Sequence, residues 1–299
     1  MGHHEHHEEI KGGRLLAATL LNLVISIAEI VGGLLSNSLS LISDALHNLS
    51  DALAIFIAWV ANRLSKRPSN SKRTFGYKRI EILAAFFNAL LLVIISIYLF
   101  YEAVLRLIHP ETVKGGLMLI IAVIGLLANL IAVIILHKDS GRNINVKAAY
   151  LHLLGDTLTS VAVIIGGILI IFFDLFWIDP VITIIIGLYI LKETWGILKQ
   201  ANDILMQGVP EGLDLEAVRS DLEQCPEIKN IHHVHVWNLD DHSIHFECHV
   251  ELHDDLHLSE TQAVQDRIEQ MLFEKYQIGH VTVQFEFRRC DDRSLVHRS

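Results

Sequence analysis

SLISDALHNLSDALAIFIAW, residues 40–59, decides the fold. Its Leu, Ile, Ala, Phe and Trp residues suit a helix in lipid, and about 20 residues suffice to cross a bilayer in that form. Yet the run contains Asp44, His47 and Asp51. His47 and Asp51 are four residues apart, so they share one helix face, one turn from each other. AYLHLLGDTLTSVAVIIGG, residues 149–167, repeats the arrangement with His152 and Asp156.

Two such faces brought together offer two imidazole nitrogens and two carboxylate oxygens, a ligand set suited to tetrahedral zinc. A charged side chain at the centre of a bilayer costs at least about 2.5–3.5 kcal/mol, so ionisable groups there are functional candidates by default. Helix-to-helix hydrogen bonding would account for a single His or Asp. Two HxxxD pairs at similar depth argue for a shared ligand. The same groups carry protons, and bound zinc favours their deprotonated forms, so metal and protons compete for one site. Such competition suffices for exchange of zinc against protons. A channel would need a continuous polar lining, whereas these spans offer isolated polar positions.

Working outward, long apolar runs fall near 14–35, 39–61, 80–107, 113–136, 147–172 and 178–198, which predicts six spans. The loop RLSKRPSNSKRTFGYKR, residues 63–79, carries Arg63, Lys66, Arg67, Lys72, Arg73, Lys78 and Arg79, and the fourth-to-fifth link carries Lys138, Arg142 and Lys147. By the positive-inside bias both termini are expected in the cytoplasm. MGHHEHHEEI has no basic segment ahead of an apolar core and does not read as a signal peptide. Within the spans, Asn22, Ser26 and Glu29 fall near one face, and Asp44 is placed to hydrogen-bond behind the metal ligands. Asn48, Asn88 and Asn129 read as helix-to-helix hydrogen-bonding groups.

The 299 residues are 52% hydrophobic and 19% charged, below the roughly 25% charge of soluble domains. Up to residue 202 there are 16 basic and 14 acidic side chains; beyond it, 8 and 20. The acidic C-terminal part disfavours nucleic acid and suits a cation. Cys225, Cys248 and Cys290 form no CxxC motif and are expected to be reduced. After the spans, DLEAVRSDLEQC reads as a helix, IHHVHVWNL and SIHFECHVEL as strands, LSETQAVQDRIEQMLFEKY as a helix and HVTVQFEF as a strand. This α-β-β-α-β order predicts a small sheet covered by helices on one side, leaving a surface that favours a homodimer. The organisation expected is a His/Glu-rich tail at 1–13, a six-helix domain at 14–198, a connector at 199–212, the α+β domain at 213–290 and a tail at 291–299.

Ten of the 18 histidines lie in this C-terminal part. Strand alternation puts His233 and His235 on one face and His232 on the other, where His232 can meet His249 across the strands, with His280 at the edge of the last strand. His257 and Glu286 are further candidates, and zinc held here would report its cytoplasmic concentration and tighten the dimer. His3, His4, His6 and His7 match a purification-tag remnant or a native metal-binding tail, and the interspersed Glu residues favour the tail.

GGLLSNSLSLISDALHNLSD, RTFGYKRIEILAAFFN, AYLHLLGDTLTS, the DP before the sixth run, HHVHVW and CHVEL together resemble the cation diffusion facilitator family over essentially the whole chain. The resemblance implies a homodimeric zinc/proton antiporter with a ferredoxin-like, metal-binding cytoplasmic domain. It implies a transport site at His47, Asp51, His152 and Asp156, and it matches His232, His249 and His280, with His257 more weakly, to cytoplasmic zinc ligands. A His at position 47 resembles zinc-preferring members; Asp there would accompany wider selectivity including cadmium, and cobalt is a further candidate cargo. The short, His-poor link HKDSGRN, with only His137, points to a multi-pass exporter of a bacterial or archaeal cell membrane, and the wholly basic SKRTFGYKR gives no metal site between the second and third spans. Two other classes remain: a membrane-bound metal sensor or scaffold, which would tolerate loss of Asp51 and Asp156, and an intramembrane metalloenzyme, which lacks a placed general base and an HExxH motif.

Overall fold

The structure, a computed structural model, describes residues 5–65, 67–140, 144–241, 243–289 and 294–295; side chains of 5–19, 58, 62, 135–140, 144–149, 151 and 152 lie outside that description. The N-terminal histidines, His137 and Cys290 therefore lie outside the described residues or side chains. Six helices come first: α1 (Glu5–Ser36), α2 (Leu39–Ser65), α3 (Ile80–Ile108), α4 (Gly115–Ser140), α5 (Ile144–Phe173) and α6 (Ile178–Leu205). Then follow α7 (Leu215–Leu222), β1 (Ile228–Asn238), β2 (Ile244–Leu252), α8 (Leu258–Tyr276) and β3 (His280–Glu286). Five of the first six contain stretches long and apolar enough to cross a membrane, and α1 adds the shorter apolar stretch Leu20–Ser36 among described residues.

The α3 helix shows why this is a membrane bundle. Phe87, Leu91, Ile94, Tyr98, Tyr101 and Leu105 recur every three or four residues and are all exposed, whereas Ala89, Leu92, Ser96, Leu99 and Ala103 are buried. In water an apolar stripe of that length would be unstable; in a bilayer it is the lipid-facing side. Small and polar residues turn inward, as expected where packing and hydrogen bonds, not the hydrophobic effect, join helices.

The chain divides into two compact units, Met1–Val60 with Phe87–Leu198, and Ala61–Phe86 with Lys199–Ser299. In the first, the turn between α1 and α2 is held by two side chains from elsewhere. Asn37 adopts φ 59°, and Arg106 donates to its carbonyl (2.8 Å) and its side-chain oxygen (3.0 Å). Asp179, in the first turn of α6, accepts from the Ser38 and Ser40 hydroxyls, both at 2.6 Å, and from the Leu39 (2.8 Å) and Ser40 (3.2 Å) amides. Those amides belong to the start of α2, where N–H groups have no partner within their own helix. Asp179 thus caps α2 from a different helix.

In the second unit, β1 and β2 are antiparallel, β2 and β3 parallel, in the order β1-β2-β3. Parallel pairing requires a crossover, which α8 supplies. Val218 and Leu222 of α7 and Val264, Ile268 and Leu272 of α8 pack with Ile231, Val236, Phe246, Cys248 and Val250 to form the core. Asp214 caps α7 by accepting from the Glu216 and Ala217 amides. Cys225 and Cys248 are buried free thiols; burial pushes the Cys248 thiol up to about 12, so it is an inert core residue.

Candidate metal centres

The first centre sits on α2 and α5. His47 Nδ1 lies 3.5 Å from Asp51 Oδ2 one turn on, and His47 Nε2 lies 3.7 Å from Asp156 Oδ1. One ligand atom from each of the three falls within 4.8 Å of the others. Asp156 and His47 are buried, and Asp51 is partly exposed. His152 lies on α5 one turn before Asp156, with its side chain outside the described residues. The helix period alone brings His47 to Asp51; bringing Asp156 to His47 requires α2 and α5 to meet.

Behind these ligands lies a hydrogen-bonded layer. Asp44, one turn before His47, accepts from Thr159 Oγ1 (2.6 Å) and Ser160 Oγ (3.0 Å) of α5, and the Asn129 amide of α4 reaches Ser160 Oγ at 3.4 Å. These contacts tie α2, α5 and α4 together around the ligands and fix the Asp44 carboxylate. The expectation for Asp44 named no donors; the signal was in the sequence, because Thr159 and Ser160 follow Asp156 at helix spacing in the same DTLTS segment. Tyr189 of α6, which sequence pattern did not single out, places its ring edge-on to His47 (centroids 6.3 Å) and donates to Glu193 Oε1 at 2.7 Å. Glu29 of α1 is fully buried, its carboxylate so tight against Gly125 of α4 that a Cβ at 125 would overlap it.

The second centre is on the sheet of the C-terminal domain. The β1–β2 register pairs His232 with His249, and their ring centroids are 5.5 Å apart. Glu286 at the end of β3 reaches both: its Oε2 is 3.4 Å from His232 Nε2 and its Oε1 is 3.1 Å from His249 Nδ1. Ligand atoms of the three lie within 4.8 Å of one another. Asn230 donates through Nδ2 to Glu223 (3.3 Å), so its Oδ1 accepts from His232 Nδ1 at 3.1 Å, leaving the lone pair of Nε2 facing Glu286. That Nε2 and Glu286 Oε2 are buried with no hydrogen-bond partner among the described residues. With the ring neutral, Nε2 and the carboxylate are two facing acceptors, an arrangement that a cation between them satisfies.

The structure does not bring the other candidates into this group. His280 pairs with His245, with ring centroids 4.4 Å apart, while Gln284 is the residue of β3 opposite His249. His280 is therefore four strand residues, about 13 Å, from the level of His249. His257 is the N-cap of α8, its amide donating to Glu260 at 2.8 Å, outside both clusters. The expected alternation of β1 also breaks. A bulge lies between His232 and His235, His233 adopts φ 53°, and its ring stacks on His249 (4.6 Å), so His232 and His233 both contact that residue.

Comparison with known proteins accounts for both halves. Residues 15–206 match the cation efflux transmembrane domain and residues 210–287 the cation efflux protein cytoplasmic domain. The chain is 43% identical over 294 residues to the zinc transporter ZitB of Pectobacterium atrosepticum, covering 97% of this chain and 90% of that one. It is 42% identical over 290 residues to the metal cation efflux system protein CzcD of Cupriavidus metallidurans (97% and 91% covered). It is 39% identical over 285 residues to the cadmium, cobalt and zinc/H(+)-K(+) antiporter of Bacillus subtilis (95% and 91% covered). With a buried His–Asp cluster between two membrane helices and a full-length match on either side of it, the chain belongs to the cation efflux, or cation diffusion facilitator, family.

Proposed function

We propose that this protein exports zinc from the cytoplasm in exchange for protons, with His47, Asp51, His152 and Asp156 as the transport ligands. The observation that carries this reading is the His47–Asp51–Asp156 cluster, with His47 and Asp156 buried, whose ligand atoms converge within 4.8 Å on two apolar helices. Neutral His and ionised Asp bind the cation; protonation from the opposite side releases it, and the protonated site returns. The names of the relatives, zinc transporters and a zinc/H(+)-K(+) antiporter, support cargo and counter-ion. Cobalt and cadmium are secondary cargoes, since nitrogen and carboxylate ligands accept all three ions.

The positive-inside bias of residues 63–79 places both termini and the C-terminal domain in the cytoplasm of a cell-membrane protein. The dimer assembles through that domain. Zinc at His232, His249 and Glu286 serves regulation rather than passage, because these ligands lie on a sheet outside the spans. The names of the relatives support a carrier rather than a metalloenzyme, and its carboxylates would be spent on the metal.

The test is zinc entry into proteoliposomes under an imposed pH difference, with internal pH recorded alongside. The parent moves zinc and protons in opposite directions, and Asp156→Ala abolishes both fluxes. Normal transport by the variant would remove Asp156 from the site. A folded, correctly oriented parent that moves neither ion would put the sensor reading ahead.

A further inference from the structure

Beside the α2–α3 loop is a cavity of about 560 Å³, within the size range of ligand sites. Its walls combine cations, Arg73, Lys78 and Arg79, with apolar groups that include Phe75, Leu83 and Trp237. The cations are unequally balanced. Lys78 Nζ lies 3.5 Å from Asp240 Oδ2 and donates to Ser243 Oγ at 3.2 Å. Arg73 lies 4.3 Å over the Tyr77 ring, and neither Arg73 nor Arg79 has an acidic partner among the described residues. Arg79 Nε is buried with no hydrogen-bond acceptor among them. That nitrogen is shielded from solvent, so what Arg79 offers the adjoining cavity is a positive charge that no carboxylate among the described residues offsets.

The cavity also has a membrane address. Ile80 and Leu83, in the first turn of the α3 span, and Gln207, two residues past the end of the α6 span, line it. Both place it at headgroup depth, and Phe75 and Leu83 present exposed apolar surface beside the cations.

We propose that this cavity binds the phosphate of an anionic phospholipid, with Arg73 and Arg79 on the headgroup and the acyl chain leaving along Leu83. Basic pockets beside membrane helices suit such headgroups, and the apolar wall distinguishes a lipid from a free anion. Two unbalanced cations select phosphatidylglycerol over phosphatidylcholine, whose choline cancels the charge. The proposal rests on the orientation proposed above only for the leaflet concerned, the cytoplasmic one.

The test uses the full chain, purified and delipidated in detergent and titrated with short-chain phosphatidylglycerol, phosphatidylcholine of the same chains, and inorganic phosphate, with bound lipid counted by native mass spectrometry. Phosphatidylglycerol is expected to bind at least about tenfold more tightly than phosphatidylcholine, with about fivefold loss on Arg73→Gln or Arg79→Gln and about 25-fold on both. Arg73 is exposed, so its variant tests the idea even if Arg79→Gln fails to fold. Lys72→Gln, an exposed cation outside the cavity, is expected to retain the parent affinity. Equal binding of the two lipids, unchanged affinity in Arg73→Gln, or an equal loss in Lys72→Gln would overturn the site. Displacement by inorganic phosphate at matching concentration would assign it to a soluble anion instead. Zinc uptake by the same variants reconstituted into proteoliposomes keeps the two ideas separate, since lipid binding can succeed where transport fails.

Discussion

At Gly125 one missing carbon makes room for a carboxylate. Glu29 is fully buried on α1 and lies where a Cβ at 125 would stand, so Gly125→Ala forces either the helix pair or the acid to move. Overpacking of this kind costs about 1–3 kcal/mol, and displacing the carboxylate leaves its buried oxygens still less favourably placed. Thermal unfolding in detergent should therefore show Gly125→Ala less stable than the parent. The destabilisation should shrink in the background Glu29→Ala, which empties the space. If the two substitutions add without interaction, the Glu29–Gly125 contact is not the cause. A second single-residue expectation concerns Asp44: Asp44→Ala removes the acceptor shared by Thr159 and Ser160, leaving Thr159 only the Asp156 carbonyl of its own helix, and loosens α2 against α5. Zinc affinity measured by calorimetry should fall about 10–100-fold, the usual effect of losing a group that orients metal ligands. Unchanged affinity would reduce Asp44 to a packing role.

At the scale of elements, the α2–α3 loop meets the sheet through Phe75, which stands edge-on to His245 (5.5 Å), and through Lys78 on Asp240 and Ser243. His245 is held below the ordinary imidazole pKa by burial first, then by His280, Lys78 and Arg79, with Asp240 opposing. The folded state thus prefers neutral His245, and the unfolded chain binds the proton more readily. The contribution is fully present above about pH 6.5 and is lost as pH falls from there toward the lowered folded value. Melting temperature between pH 7.5 and 5.5 should fall less steeply in His245→Gln than in the parent; parallel slopes would clear His245 of the effect. This contact was not legible beforehand, because the loop reads simply as a run of seven cations. Periodicities within elements were legible: α8 spans the expected LSETQAVQDRIEQMLFEKY, and His47 and Asp51 share a face because α2 has the period of a helix. Register between elements was not. His280 has the alternation of a ligand, yet hydrogen bonding of β3 to β2 sets it opposite His245, while Glu286, paired with Glu251 two residues beyond the level of His249, reaches the two histidines with its side chain. The β1 bulge at His233 likewise depends on a positive φ that pattern alone does not announce.

The whole molecule separates two chemistries along its length: a few carboxylates and histidines gathered within an apolar bundle, and an acidic C-terminal part with 20 acidic against 8 basic residues. A cation held by the first would compete with protons for the same ligands. The second lies outside the apolar spans and gathers cations by long-range attraction, which salt weakens. Its cluster of His232, His249 and Glu286 draws one ligand from each strand, so a bound zinc would clamp the edges of the sheet to its centre. Any ligand that binds the folded form alone stabilises it, by about 2.7 kcal/mol at a hundredfold excess over Kd. Hydrogen–deuterium exchange of the full-length protein should therefore slow in β1 and β3 when zinc is added, by up to about 100-fold at that excess, wherever exchange requires opening the sheet. Chelation should restore the original rate, and Glu286→Gln should abolish the slowing while Asp156→Ala leaves it intact. Slowing that survives in Glu286→Gln would move the ligand elsewhere on the sheet; slowing that vanishes in Asp156→Ala would mean that zinc acts on the sheet only through the membrane site.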